Sequence, residues 1–137
     1  MQSISFDEGY KEFAINNDEN RVIRFNPKDF GILTRMEDTL SDFEALEKKL
    51  KDGNEEEFTN NLREAEKVVH EKIDSIFNAN VHDIIFNHQS PISLVGGEFL
   101  FMRVIEALVP IVEKEVKYEM QKSEKRMSKY TEKYKKW

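Results

Sequence analysis

Cysteine is absent from this chain of 137 residues. That excludes disulfides, a thiolate nucleophile and every cysteine-based zinc site. Glycine (5) and proline (3) are scarce. No glycine-rich phosphate cradle and no G-x-S-x-G nucleophile turn can be drawn. Histidine occurs three times, as His70, His82 and His88, and never as H-E-x-x-H. His82, Asp83 and His88 can be grouped with Glu71, but the spacing matches no ligand pattern. Carboxylate pairs such as Glu56/Glu57 and Glu37/Asp38 read as solvated helix faces. No catalytic site, cofactor site or metal site is therefore expected, and the chain reads as a binding protein and not an enzyme. A signal peptide, an Asn-x-Ser/Thr sequon and a clean apolar run of ~20 residues are also missing. The expectation is a soluble cytoplasmic protein with no membrane partner.

What is present is charge and one apolar stretch. The composition is 39% hydrophobic and 35% charged, with a net charge of −6. Residues 113–137 hold nine Lys/Arg against five Glu, so this end carries +4 and the remainder −10. An acidic body argues against general nucleic-acid binding, which rests on phosphate neutralisation. The basic end alternates its signs and reads as a solvated helix face with i,i+4 pairs. The apolar stretch is Gly96–Val112, broken only by Glu98, Arg103, Glu106 and Pro110. A helix apolar nearly all round is a central core helix or an oligomer-forming one. Phe99, Val104, Ile105, Leu108 and Ile111 are its expected core residues. From Gly97 to about Lys136 the only breaker is Pro110, so the spacing predicts a helix of ~40 residues, ~60 Å long. It must kink at Pro110 and fold back, or project from the body.

Ahead of that stretch, residues 1–25 read as β. Glu12–Ile15 and Arg21–Phe25 are β-branched and aromatic, and Asn16–Asn20 reads as the turn between them. Ile4-Ser5-Phe6 alternates and is a candidate third strand. Asn26-Pro27-Lys28-Asp29 reads as a helix start, with Asn26 as cap and Pro27 in the first helical position. Phe30, Leu33, Met36, Leu40, Phe43, Leu46 and Leu50 recur at helical spacing as far as about Lys51. Asp52-Gly53-Asn54 closes that helix, and Glu55-Glu56-Glu57 suits the N-terminus of the next. Phe58, Leu62, Ala65, Val69, Ile73 and Ile76 form its stripe. Two Ile-Phe-Asn endings follow, at 76–78 and 85–87, each with an asparagine able to turn left-handed and end a helix. His88–Pro91 is a connector, and Ser93 or Gly97 begins the central helix. Beyond Pro110 a thinner seam runs through Val116, Met120, Ser123, Met127, Tyr130, Tyr134 and Trp137, at the four-three spacing of coiled coils. Val116, Met120, Met127, Tyr130, Tyr134 and Trp137 are the candidate partner-binding residues.

The fold class expected is mainly α (α+β) in a single domain. An N-terminal β-hairpin (1–25) packs on a helical body (26–112) that contains an antiparallel helix pair. The long C-terminal helix, kinked near Pro110, continues as a charged arm (113–137).

A resemblance covers most of the chain. Its residues are Asp74, Ile76-Phe77, Ile85-Phe86, Ser90-Pro91, Phe99 and Glu106–Ile111. They continue in Lys125, Lys129-Tyr130 and Lys133-Tyr134, and at the front in Ile4, Phe6 and Phe25-Asn26-Pro27 with Asp29-Phe30. This pattern resembles tail assembly chaperones of tailed phages and prophages of Gram-positive bacteria, encoded just before the tape measure protein. Asn78 and Asn87 stand where that family favours glycine, and both residue types accept positive φ. The resemblance implies a mainly helical chaperone that coats the tape measure protein and helps recruit tail tube subunits. It implies residence in the host cytoplasm and absence from the mature virion, and it is compatible with a homo-oligomer. Many chaperones of this type are made in two forms by a ribosomal frameshift, and Lys135-Lys136 is where an A-rich slippery run would lie. Two other readings stand beside it: a structural tail or head–tail component of the virion, and a small phage-encoded inhibitor of a host defence protein.

Overall fold

The computed structural model of the protein describes residues 1–53 and 58–135, with side chains as far as Lys125. Its elements are β1 (Lys11–Ile15), β2 (Asp18–Phe25), α1 (Phe30–Lys51), α2 (Phe58–Phe77), α3 (His82–Phe86), β3 (Leu94–Val95), β4 (Glu98–Phe99) and α4 (Leu100–Lys135). The class is mainly α with an N-terminal antiparallel hairpin, as the sequence reads.

The hairpin is tighter than its composition implies. Asn16 and Asn17 alone form the turn, both at positive φ (52° and 61°), and β2 already begins at Asp18. Two consecutive positive-φ residues give the turn whose twist matches paired strands, and asparagine tolerates that conformation. The register then slips between Ala14 and Ile15, which leaves Glu19–Arg21 as a bulge. Inward residues alternate at Ile23 and Phe25, both buried. Phe25 stacks on Phe13 and packs against Phe77, which fixes the hairpin on the end of α2. The third strand does not form. Residues 1–10 carry no strand, and Ile4 and Phe6 are exposed.

Asp29, not Asn26, caps α1, its side chain accepting from the Gly31 N–H at 2.8 Å. Asn26 instead closes the preceding turn, where its side chain accepts from the Lys28 N–H and its carbonyl from the Asp29 N–H. Pro27 therefore lies in that turn and is buried rather than opening the helix. The α1 stripe buries Met36, Phe43 and Leu50. Phe30, expected to begin it, is exposed and Ile32 is buried in its place, because the helix starts at Phe30. The acidic triplet 55–57 lies outside the described residues.

Both Ile-Phe-Asn endings behave as the sequence indicates. Asn78 (φ 52°) and Asn87 (φ 54°) turn left-handed directly after α2 and α3. Each end is also held by an arginine from elsewhere. Arg35 Nε donates to the Ile76 carbonyl at 3.0 Å. Arg21 donates to the carbonyls of Ile84 and Ile85 at 3.0 and 2.8 Å. The last carbonyls of a helix lack intrahelical donors, and a guanidinium supplies them together with favourable charge.

Before α4 the chain makes a two-residue-per-strand hairpin, β3–β4, turned by Gly96 and Gly97 at φ 61° and 79°. The glycines therefore serve a hairpin and not a helix start. The first N–H groups of α4 are satisfied by this loop: Leu100 donates to the Ser93 carbonyl and Phe101 to that of Pro91. From there α4 is assigned as one helix through Pro110 to Lys135. Proline at 110 removes the bond to the carbonyl of residue 106. Glu106 and Pro110 are both on the exposed side, where water can take that carbonyl.

α4 runs antiparallel to α1. Phe43 meets Phe101 edge-on at one end, and Lys28 meets Glu119 at the other. Between these points the core holds Phe101, Ile105, Val112 and Val116 against Met36, Phe43, Val69, Ile73 and Ile76. Each such side chain contributes about 1.5–3 kcal/mol relative to exposure, before entropy is charged.

Candidate partner-binding surface

α4 buries one side and leaves the other open, and the open side changes character along its length. The inner face, Phe101–Ile105–Leu108–Val112–Val116, is buried. The first part of the outer face, with Leu100, Val104, Ala107 and Ile111, lies beside the hairpin tip. These residues form a groove with Ala14, Ile15, Asn16 and Ile85, and Arg103 is its one charged residue. Further along, the same face becomes cationic and carries Lys114, Lys117 and Tyr118.

The sequence-derived residues fall across these faces. Ile105 and Leu108 are buried as core. Phe99 and Val104 are half-buried and pack against it. Ile111, expected in the core, is 43% exposed and lines the groove. It is one residue short of the inward position taken by Val112, a difference of about 100° around the helix. Val116, expected to bind a partner, is only 4% exposed and belongs to the core. Val112 and Val116 extend the body along α4, so the helix leaves it after Glu119 and not at residue 113. Met120 is 49% exposed at that point, and every side chain from Met120 to Lys125 is exposed. The side chains of Met127, Tyr130 and Tyr134, and Trp137 altogether, lie outside the described residues.

Electrostatics fix the exit point of the helix. The Lys28 ammonium lies 3.0 Å from Glu119 Oε2, the covered oxygen of a carboxylate whose side chain is otherwise exposed. The ion-pair contact with Lys28 holds the Glu119 carboxyl below the usual carboxylate range, and the same contact raises Lys28. Lys11 approaches Glu115 at 4.0 Å, one helical turn earlier.

A separate polar cluster joins α2 to α3. Both oxygens of Asp74 are used: Oδ1 accepts from the N–H groups of Val81 and His82, and Oδ2 lies 2.7 Å from His82 Nδ1. The His82 ring stacks on His70 at 4.2 Å. Burial, then the charge of His82, lowers the pKa of His70. Among the described residues no group of three His, Asp or Glu side chains could hold a metal ion. This cluster is a structural clasp: Asp74 caps the N-terminus of α3 from the neighbouring helix. Among the described residues no helix is long and apolar enough to cross a membrane.

Sequence reading missed Tyr118 and the lysines around it. Their spacing was legible, but which side of α4 faces outward depends on its register against α1 and β1. No protein-family model, curated protein or solved structure matches this chain.

Proposed function

We propose that this chain is a non-catalytic tail assembly chaperone that binds the tape measure protein through α4 and helps bring tail tube subunits to it. One observation carries this reading. α4 outruns its own domain: beyond Glu119 its side chains are exposed to Lys125, and the helix continues to Lys135. Uncovered side chains along a helix, here Met120 to Lys125 among those described, offer a face to another helix. Tyr118 and Met120 stand at the exit point, half-exposed. Aromatic side chains anchor interfaces, and methionine adapts to varied apolar surfaces. The groove beside Ile111 adds apolar surface next to the arm. The family resemblance supplies the identity of the partner, and the exposed helix supplies a surface suited to a long helical one. On this reading the protein acts in the host cytoplasm and is left out of the finished particle.

The test is affinity purification of the protein from cells producing the phage, with mass spectrometry of the eluate and of finished virions. Recovery of the tape measure protein and tube subunits, with the protein absent from virions, is the expected result. Presence in virions makes it a structural tail component. Recovery of a host protein in place of tail proteins makes it an inhibitor.

A further inference from the structure

Folding sorts the charges of α4 by side. Glu115 and Glu119 face the body, toward Lys11 and Lys28. Lys114, Lys117, Lys122 and Lys125 are exposed, and among the described residues none lies within ion-pair distance of a carboxylate. Tyr118 stands among them, 54% exposed, with the Lys122 ammonium 4.9 Å and the Lys28 ammonium 5.7 Å from its ring centre. Pro110, Glu113, Lys114, Lys117, Tyr118 and Gln121 line one shallow concavity, in which Glu113 is half-buried. Glu124 is exposed on the same flank as Glu113. The alternating signs of the sequence conceal this outward bias.

The spacing of the crest narrows the partner. Lys114, Tyr118, Gln121 and Lys125 follow each other at four, three and four residues. That is the rhythm at which one helix meets another, sustained here over about 17 Å. The crest is too polar to pair by apolar packing alone, so charge must choose its occupant. We infer that this face of α4, Lys114–Tyr118–Gln121–Lys125 flanked by Lys117 and Lys122, docks an acidic helical segment of a partner protein. Carboxylates at matching spacing meet the lysines, and an apolar side chain between them covers the Tyr118 ring. Nucleic acid fits the face less well. No aromatic groove on which bases could stack accompanies the lysines. The inference rests on the binding-protein reading above and specifies the chemistry of the segment bound.

The probes are two synthetic amphipathic helices with the same leucine seam, one flanked by glutamate and one by lysine, and a single-stranded DNA oligonucleotide. Binding to the full chain is followed by fluorescence anisotropy across a salt series. The glutamate peptide is expected to bind about tenfold or more tighter than the lysine peptide, with affinity falling as salt rises. The triple variant K114E/K117E/K122E loses that binding by about tenfold or more, and the triple arginine variant keeps it. The changed side chains are exposed, so circular dichroism and the melting temperature should stay near those of the parent. Equal binding of both peptides, binding that survives charge reversal, or tighter binding of the DNA overturns the inference. Repeating the capture experiment with the charge-reversed protein separates the two proposals. Tape measure protein still captured in full overturns the docking face and leaves the chaperone reading intact. Selective, salt-sensitive peptide binding without any tape measure capture does the reverse.

Discussion

The Lys28 ammonium and Glu119 Oε2, 3.0 Å apart, tie the start of α1 to α4 by the last ion pair between α4 and the body among the described residues. The carboxyl pKa of Glu119 is lowered by its ion-pair contact with Lys28. A depressed carboxyl contributes stability above the unfolded carboxylate range, and loses it as pH falls through the folded pKa. Lys28 is raised, so its contribution is present below the unfolded lysine range and lost as pH rises through the folded pKa. At neutral pH the pair is charged on both sides. Lys28→Met should lower the melting temperature slightly there, by an amount that shrinks with salt because the pair faces solvent. The difference from the parent should vanish on the acid side of the carboxylate range. A difference that persists in acid would mean that Lys28 acts by packing and not by charge.

The His70 ring gives a dependence on acid of the same sign, at higher pH. Its pKa is lowered by burial and by His82, while Glu66, Asp83 and Asp74 pull it up. The unfolded chain thus takes up a proton before the folded chain does. Stability is full above about pH 6.5 and declines as pH falls toward the folded value. His70→Gln should flatten that part of the profile while the loss at carboxylate pH remains. Thermal melts across the range check this, and NMR titration of the His70 ring reads the shift directly.

Asp74 satisfies two backbone N–H groups at the start of α3 and also meets His82. Asp74→Ala strands those donors at a half-buried junction, a loss of about 1–3 kcal/mol. Asp74→Asn keeps one acceptor oxygen and should cost less. Denaturant midpoints of the two variants measure the difference. Equal losses would show that the carboxylate charge, and not the cap, matters.

Ile105 and Ile111 lie on one helix, six residues apart, with opposite fates. Ile105 is fully buried and Ile111 is 43% exposed. Ile105→Ala should cost about 2–5 kcal/mol through the cavity left behind. Ile111→Ala should stay within about 0.5 kcal/mol, as surface changes generally do. Urea midpoints at constant slope distinguish the two. A large loss at Ile111 would place the groove face inside the core.

Much of this architecture is legible in the residues because local chemistry determines it. The α1 and α2 stripes, the hairpin and the two left-handed asparagines each follow from side-chain period or from φ preference. Ile111 and Val116 read differently in the sequence because apolarity and spacing do not say how α4 is rotated against α1. The cap of α1 moved from Asn26 to Asp29 because both residues can serve, and buried Pro27 holds the first in a turn. The cationic crest was invisible for the same reason as Ile111. Only packing decides that Glu115 and Glu119 turn inward while the neighbouring lysines turn out.

Where the helix leaves the body can be found by shortening it. Val112 and Val116 are core, and Glu119 holds Lys28, so a chain ending at Val112 loses Val116 and both lysine contacts. Removing one buried valine side chain alone forfeits about 1.5–3 kcal/mol. The last turn of α4 would fray besides, since its carbonyls would lose their donors. A chain ending at Lys122 keeps all of these groups and removes only exposed side chains among those described. It should melt within a few degrees of the full chain, while the shorter one melts clearly lower or fails to fold. If both truncations were harmless, α4 beyond Val112 would not be core. If both unfolded, the residues after Lys122 would be packing on the body, and the projecting helix that carries the functional reading would not exist.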